Sequence, residues 1–380
     1  MAIVGIICEY NPFHTGHRKQ FSVIRKHFGE DAAIVCLMSG NYVQRGAPAI
    51  FDRALRARAA VLSGANLVLE LPVTASLSSA EGFAAAGVSI LSPLCDYLCF
   101  GTESGSEESL MQAAQALLSP GFSEQLRQRL AAGISFPAAR QGALEALGIP
   151  GTLLEQPNDI LATEYCKAIL AQGSSLVPFP ITRQGSYHAE VPDAENPSAT
   201  ALRRCILSGT DWLRFVPPEA TPCFANAAVH TLSAGERAIL ARLRTMTEGE
   251  FEALPYGSEG LWRRLMHASR EEGSLEDILT RVKTKRYTRT RLDRMVLCAF
   301  LGLTQAELSH PAPYARILAF DDTGRSLLKG HSFCKNLGWQ EKSPYAALEQ
   351  RCNSLYGLFC LDSIPQADAA QKQRLFYLHR

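Results

Sequence analysis

Four short apolar runs, at 2–8, 32–38, 67–71 and 97–100, alternate with amphipathic helical patterns near 16–28, 50–64, 80–91 and 106–118. Runs this short, each followed by a stretch of helical period, predict parallel strands joined by helical crossovers. The fold class is therefore α/β, a Rossmann-like doubly wound parallel sheet. In such a sheet ligands sit beyond the carboxyl ends of the strands, where the strand order reverses. Those ends are distinctive here. The first run leads into GluTyrAsnProPheHisThrGlyHis at 9–17, the second into SerGlyAsnTyrValGlnArgGly at 39–46, and the fourth into GlyThrGlu at 101–103. Each offers glycine or small polar groups where a nucleotide would lie.

His14 and His17 lie three residues apart with Gly16 between them. Gly16 permits close approach of the backbone to a ligand, and the segment 16–28 reads as a helix whose unpaired N–H groups face the same spot. An anion is expected there. The competing reading is that the two histidines merely cap a helix. The segment resembles the HxGH signature of the nucleotidyltransferase superfamily. That resemblance implies that the imidazoles clamp the ATP phosphates and stabilise charge at the α-phosphorus as pyrophosphate leaves, a large contribution to catalysis.

Further along, 122–147 and 158–171 read as helical, 176–182 as a strand and 198–207 as a short helix. Gly, Thr and two prolines interrupt the periodicity between 209 and 218, a boundary signal. Beyond it come helical patterns at 233–247, 258–270, 274–281 and 291–302, an apolar run at 315–320 and a mixed tail. A chain of 380 residues is long for one core, so two domains are expected: 1–210, catalytic and ATP-binding, and 211–380, mainly helical and RNA-binding.

The formal net charge is only +1, so any nucleic-acid surface must be a local patch. One segment qualifies. ArgValLysThrLysArgTyrThrArgThrArgLeuAspArg at 281–294 carries seven Lys/Arg against one Asp, a local charge of +6. Lys283, Lys285, Arg286, Arg289 and Arg291 are candidate RNA contacts, and Tyr287 is a candidate for stacking on a base. A solvated charged face is the alternative. Eleven cysteines are scattered without a CxxC pair or a histidine at zinc spacing, which points to reduced, buried thiols and no structural metal. The first apolar run is about seven residues, too short for a signal peptide or membrane span. A soluble, cytoplasmic protein with no membrane association is expected.

Other candidates carry less specific signals. Asn158 reads as a helix N-cap with Glu164 on a later turn. Arg183 follows a strand and precedes GlySerTyrHis at 185–188, a position suited to phosphate. SerAlaThrAlaLeuArgArg at 198–204 reads as a capped helix start with arginines one turn in, an anion site or an ordinary solvated helix. Gly40, Asn41, Gln44 and Arg45 are placed to contact substrate or nucleotide. Asp52, Arg53, Arg56 and Arg58 read as a solvated helix face with internal pairing.

Taken in order, the 5–17 and 39–46 motifs, PheGlyThrGlu at 100–103, ProAsnAspIleLeuAlaThrGluTyr at 157–165, the 183–188 segment, SerAlaThrAlaLeuArg at 198–203 and ValLysThrLysArgTyrThr at 282–288 resemble the bacterial tRNA(Met) cytidine acetate ligase family. The resemblance covers most of the chain. It implies two steps: acetate attacks the α-phosphate of ATP to give acetyl-adenylate and pyrophosphate, and the acetyl group then passes to the exocyclic amine of the wobble cytidine of elongator tRNA(Met). ATP contacts are implied at Ile7, Cys8, Glu9, Tyr10, Asn11, Pro12, Phe13, His14, Thr15, Gly16, His17, Arg18, Lys19, Gln20, Gly101, Asn158 and Arg183, with His14, His17 and Arg183 catalytic. From the residues themselves, substrate or phosphate contacts are expected at Gly40, Asn41, Gln44, Arg45, Ser198, Thr200 and Arg203. Mg2+ is expected with ATP, without a dedicated carboxylate cage, and no protein partner is expected. A KMSKS-like second phosphate loop is absent from the sequence, and Arg183 with the 198–204 helix start is expected to replace it. A small-molecule adenylyltransferase and a non-catalytic RNA-binding protein on the same scaffold remain as rivals.

Overall fold

The structure is a computed structural model that describes residues 1–182, 197–284, 286–309, 315–330, 344–367, 369 and 375–379. Its strands are β1 (Ile3–Cys8), β2 (Ala33–Ser39), β3 (Tyr42–Val43), β4 (Ala47–Pro48), β5 (Leu67–Leu71), β6 (Tyr97–Thr102), β7 (Val177–Thr182), β8 (Arg316–Asp321) and β9 (Phe376–Leu378). Seven of them form one sheet in the order β7-β6-β1-β2-β5-β8-β9, and β3 pairs with β4 as a separate hairpin. From β7 to β5 neighbouring strands are parallel. The central strands β2 and β5 are buried along their whole length, which is why they read as unbroken apolar runs rather than alternating ones.

Alternate residues of these strands face two different cores. Ala33, Val35, Leu37 and Leu69 pack with Phe83, Val88, Leu110 and Ala162 of the helices Ala80–Leu91, Glu107–Leu118 and Pro157–Gln172. Ile34, Cys36, Met38 and Val68 pack on the other side with Phe21, Ile24, Ala57 and Val61 of the helices Thr15–Phe28 and Arg53–Leu62. Helices thus cover both faces, as the doubly wound reading requires. The order reverses between β1 and β6, and the crevice between their carboxyl ends is the position such a fold offers a ligand.

One expectation needs correction. The segment 122–147 is not one helix but two, Pro120–Ala131 and Phe136–Glu145, because Gly133 adopts a left-handed φ of 81° between them. The apolar run at 315–320 becomes β8, which lies antiparallel to β5, and β9 adds parallel to β8. The sheet is therefore built from both sides of residue 210. β8 covers an edge of β5 that would otherwise expose a row of unpaired backbone groups, and Asn66 fixes it by hydrogen bonds between its Nδ2 and Asp321 Oδ2 at 2.9 Å and between its carbonyl and Asp321 N at 3.0 Å.

The helical region has its own core. Ile239, Leu243, Leu265, Ile278, Leu279, Met295 and Leu297 come from the helices Glu236–Thr245, Leu261–Glu271, Leu275–Val282 and Arg289–Leu301, joined by Cys352 and Tyr356 of the helix Pro344–Tyr356. No described helix is long and apolar enough to cross a membrane. The ten cysteines among the described residues are free thiols, and burial pushes that of Cys99 up to about 12.

Candidate active site

The two histidines are built into the start of the Thr15–Phe28 helix. His14 is its N-cap, and its Nδ1 accepts from Gly16 N at 3.1 Å. His17 Nδ1 accepts from His14 N at 3.2 Å. This is a reciprocal capping box made of two imidazoles in place of the usual serine and glutamate. An Nδ1 that accepts a backbone N–H cannot carry a proton, so the proton of each ring lies on Nε2. The rings stack with centroids 3.7 Å apart and planes at 26°. Capping and ligand binding are thus not alternatives here, because the cap fixes both tautomers and leaves Nε2–H as the donor of each ring.

The rings are held from below by aromatics. The chain turns at Tyr10, whose φ is 45°. Tyr10 meets Phe13 edge-on at 4.9 Å and His17 at 4.7 Å, and Phe13 packs on Phe21. Tyr10, Asn11, Phe13 and His14 are all buried. Asn11 Oδ1 accepts from Ile50 N at 2.7 Å, and its carbonyl accepts from Arg203 Nη1 at 2.7 Å. Gly16 is needed for a reason other than ligand approach. A Cβ there would lie 2.9 Å from His14 Cε1 and 3.0 Å from Nδ1.

A cleft of about 1230 Å³ opens over this motif. Its walls include Ile7, Cys8, Glu9, His14, Gly16, His17, Lys19 and Gln20, Gly101 at the end of β6, Pro157 and Asn158, and Thr182 at the end of β7. Ser198, Thr200 and Arg203 line it from the helix Ala199–Leu207, whose N-cap Ser198 accepts from Ala201 N at 3.1 Å. Two helix N-termini therefore border one cavity, each bringing backbone N–H groups suited to phosphate oxygens. The same cleft is continuous with Gln44, Arg45 and Gly46, with His230 and Thr231, and with Thr288, Arg289, Thr290, Asp293 and Arg294 at the start of the Arg289–Leu301 helix. Among the described residues no group of three or more His, Cys, Asp or Glu is arranged to hold a metal.

Several candidates are placed otherwise than expected. Gly40 and Asn41 do not line the cleft. Glu70 fills the space beside Gly40, and Asn41 is buried, taking Arg53 N at 3.0 Å and donating to Asn353 Oδ1 at 3.1 Å. Arg18 points away toward Glu219, 3.3 Å distant. Asn158 is in the first turn of the Pro157–Gln172 helix, not at its cap, which is Gln156. Its amide donates to Glu103. Glu164 is buried in ion pairs with Arg140 and Lys167.

Arg53 and Arg56 are not a solvated face. They are 1% and 0% exposed. Arg53 pairs with Glu70 at 2.6 Å. Arg56 donates to the carbonyls of Phe51, Glu9, Ser39 and Gly40, and so staples the end of β1 to the end of β2. The helical period showed their spacing but not that both loops ending those strands needed donors.

The basic run is largely neutralised by its own surroundings. Arg281 pairs with Glu271 and Glu272, Arg286 with Glu259, and Arg289 with Glu276 and Asp293. Arg291 donates to Tyr256 O and Ser258 Oγ. Tyr287 is 6% exposed, its ring covered by the Arg291 guanidinium and packed in the helical core, so it presents no face for a base. Lys283 is exposed. Arg183 and Lys285 lie outside the described residues.

Sequence reading missed one support outright and the structural role of a second. Asp159, fully buried, accepts from Thr102 Oγ1, Glu103 N and Ser104 Oγ. Burial alone would raise its carboxyl, but the hydrogen bonds from Ser104, Thr102 and the backbone outweigh it and hold the group below the usual range. Glu103 returns the favour by accepting from Asp159 N at 2.9 Å. This exchange locks the end of β6, with Gly101, to the helix that carries Asn158. The second is Glu9, whose Oε1 accepts from Gln44 N at 3.0 Å, while Gln44 O accepts from Arg294 Nη1 at 3.3 Å.

Comparison with known proteins places this geometry. Residues 1–359 match the family model HIGH Nucleotidyl Transferase. A tRNA(Met) cytidine acetate ligase of Acetivibrio thermocellus is 34% identical over 357 residues, covering 86% of this chain and 85% of that protein. One from Anoxybacillus flavithermus is 37% identical over 346 residues, covering 87% and 86%. Among solved structures, apo Thermotoga maritima TmcAL superposes with a TM-score of 0.90 at 27% identity over the full length of both chains. The crystal structure of the same protein bound with alpha-thio ATP superposes with a TM-score of 0.86 at 26% identity, again over all of both chains.

Proposed function

Because the chain belongs to the HIGH nucleotidyltransferase family, and within it to the tRNA(Met) cytidine acetate ligases, we propose that it is an ATP-dependent ligase that acetylates the wobble cytidine of elongator tRNA(Met) at N4. An acetate oxygen attacks the α-phosphorus of ATP and pyrophosphate leaves. The N4 amine then attacks the acetyl carbon, and AMP leaves as N4-acetylcytidine forms.

The observation that carries this reading is the continuity of one cleft from the capping histidines to the start of the Arg289–Leu301 helix. ATP is taken up at the switch point. The Nε2–H donors of His14 and His17, with the two helix N-termini, stabilise charge on the phosphates, and their placement before the reaction is what makes such donors effective. Lys19 and Arg203 border the same space, and Arg183 is proposed as a further phosphate contact. Mg2+ enters as the counter-ion of ATP. Residues 1–210 supply most of the ATP site, and the region beyond presents tRNA through Lys283, Lys285 and Arg286. The reaction takes place in the cytoplasm, where its substrates meet.

The test is incubation of the protein with ATP, isotopically labelled acetate and mixed tRNA, followed by mass spectrometry of the digested RNA. Labelled N4-acetylcytidine in elongator tRNA(Met), with AMP formed, is the expected result. Adenylation of a small acceptor with no label in RNA would favour the small-molecule adenylyltransferase instead.

A further inference from the structure

The first step brings two substrates into one cleft, and they make different demands. ATP needs donors for its phosphates. A small carboxylic acid needs a donor for its carboxylate and apolar surface for its alkyl group. The walls of the cleft divide in the same way. On one side of the β1 end stand His14 and His17, packed on Tyr10 and Phe13 of one core, and Val23 and Ile181 add apolar surface there that suits adenosine. On the other side Ile7, Phe83, Phe100 and Tyr165 border the cleft from the opposite core.

Tyr165 is the polar member of this second wall. It is 4% exposed, and its ring lies 5.4 Å from that of Phe100 with planes at 42°. No described residue hydrogen-bonds to its hydroxyl. Unlike Nδ1 of His230 or Oγ of Ser39, that oxygen is not sealed inside the protein. It therefore opens into the cleft that the residue borders. A buried tyrosine ordinarily finds a partner for its O–H, so this one is presented to something that enters. After burial, Cys8 and Glu9 at the end of β1 are what push the hydroxyl up. Such a group stays protonated and can donate. The Glu9 carboxylate itself is engaged by Gln44 N at 3.0 Å. Displacement at phosphorus puts the attacking and leaving oxygens roughly in line. With pyrophosphate drawn toward the histidines, the acid must approach from the far side of the β1 end, where Tyr165 stands.

Resting on the ligase reading above, we infer that Tyr165 is the residue that binds the carboxylic acid. Its O–H donates to one carboxylate oxygen and leaves the other free to attack the α-phosphorus. The alkyl group lies against Ile7, Phe83 and Phe100, which set the chain length accepted. The P–O bond to the acid forms as the P–O bond to pyrophosphate breaks, its electron pair leaving with pyrophosphate. No proton moves at Tyr165.

The test uses the full chain with Tyr165→Phe, which removes only the hydroxyl and keeps the ring, and Phe83→Leu, which shortens the wall. Acid-dependent ATP–pyrophosphate exchange is read with acetate, propionate and butyrate, and nucleotide affinity is read separately by titration with a non-hydrolysable ATP analogue. Tyr165→Phe should raise KM for acetate about ten- to a hundredfold, with affinity for the ATP analogue and thermal midpoint near wild type. Phe83→Leu should raise kcat/KM for butyrate relative to acetate about tenfold. A matching loss of affinity for the ATP analogue in Tyr165→Phe would overturn the assignment and give this wall to adenosine. An unaltered acid preference in Phe83→Leu would overturn the role of the rings in chain length. Wild-type exchange that Tyr165→Phe leaves unmoved overturns the acid site alone. A wild-type protein without acetate-dependent exchange overturns the ligase reading, and the acid site with it.

Discussion

Gly16→Ala separates the stability of the His14–His17 motif from the activity proposed for it. Gly16 is the second residue of the Thr15–Phe28 helix and is not among the glycines with positive φ. Alanine there meets no backbone obstacle. Its Cβ does meet the His14 ring, at 2.9 Å from Cε1 and 3.0 Å from Nδ1, where ordinary contact begins at 3.4 Å. The ring must therefore withdraw by about 0.5 Å, and a shift of about 1 Å in a positioned group costs roughly 10²-fold in rate. His17, stacked at 3.7 Å, moves with it or loses the stack. Weakening the cap costs about 1 kcal/mol, but replacing glycine by alanine in a helix returns about 1 kcal/mol. The two nearly cancel. Exchange of pyrophosphate into ATP, driven by acetate at saturating ATP, should fall about ten- to a hundredfold, with a thermal midpoint within a few degrees of wild type. Exchange at the wild-type rate would refute the claim that His14 is held in its working position by the absence of a side chain at 16.

Further outcomes follow from the same geometry. Arg56→Met leaves the carbonyls of Glu9, Ser39, Gly40 and Phe51 without their donor, and should lower unfolding free energy by about 3–5 kcal/mol in denaturant titration. The Asp159 carboxyl is held below its usual value, so its contribution is present above the unfolded pKa of about 3.9 and is lost as pH falls through the native one. Asp159→Asn should accordingly be less stable than wild type at pH 7, with the difference shrinking on acidification below about pH 4. Glu349 shows the opposite sign. Burial, and then the charge of Glu70, push its carboxyl up to about 8, so wild type loses stability as pH rises from about 4.3 through that value. Glu349→Gln should gain on wild type between pH 5 and pH 9 in unfolding curves, and parallel curves would contradict the assignment. Lys283→Ala should reduce the slope of log affinity for tRNA against log salt by about 0.7–0.9 without changing thermal stability. Arg291→Ala, which releases Tyr256 O and Ser258, should lower stability as well.

The sheet and the histidine motif were legible because their signals are local. A buried parallel strand is a short apolar run, and β1, β2, β5 and β6 each left one. Contacts made across long sequence distances left no such trace. Nothing near Arg53 or Arg56 in sequence says that Glu70 and the carbonyls after β1 and β2 are their partners. The basic run was visible as composition, yet its partners Glu259, Glu271, Glu272 and Glu276 belong to other segments. Density of charge in sequence therefore overstated the charge left to face RNA.

The 39–46 loop shows why glycine in a strand-end motif is ambiguous. It reads as a nucleotide loop, and Gln44, Arg45 and Gly46 do border the cleft. Its glycines, however, are spent on protein. At Gly40 a Cβ would lie 2.3 Å from Glu70 Oε1, and at Gly46, where φ is 79°, one would lie 2.3 Å from Arg294 N. Asn41 and Tyr42 bond to Asn353 and to Cys352 O. The loop is therefore a rigid joint. On one side it is stapled through Arg56 and Glu9 to the segment that carries His14 and His17, and on the other it is pressed against the helix that carries the end of the basic run. It follows that the spacing between the capping histidines and the start of that helix is set by close backbone contact rather than by a linker. A side chain at Gly46 would push against the helix backbone itself, so Gly46→Val should impair acetyl transfer to tRNA more than acetate-driven pyrophosphate exchange. Equal loss of both steps would instead mean that the joint supports the whole fold and not the spacing.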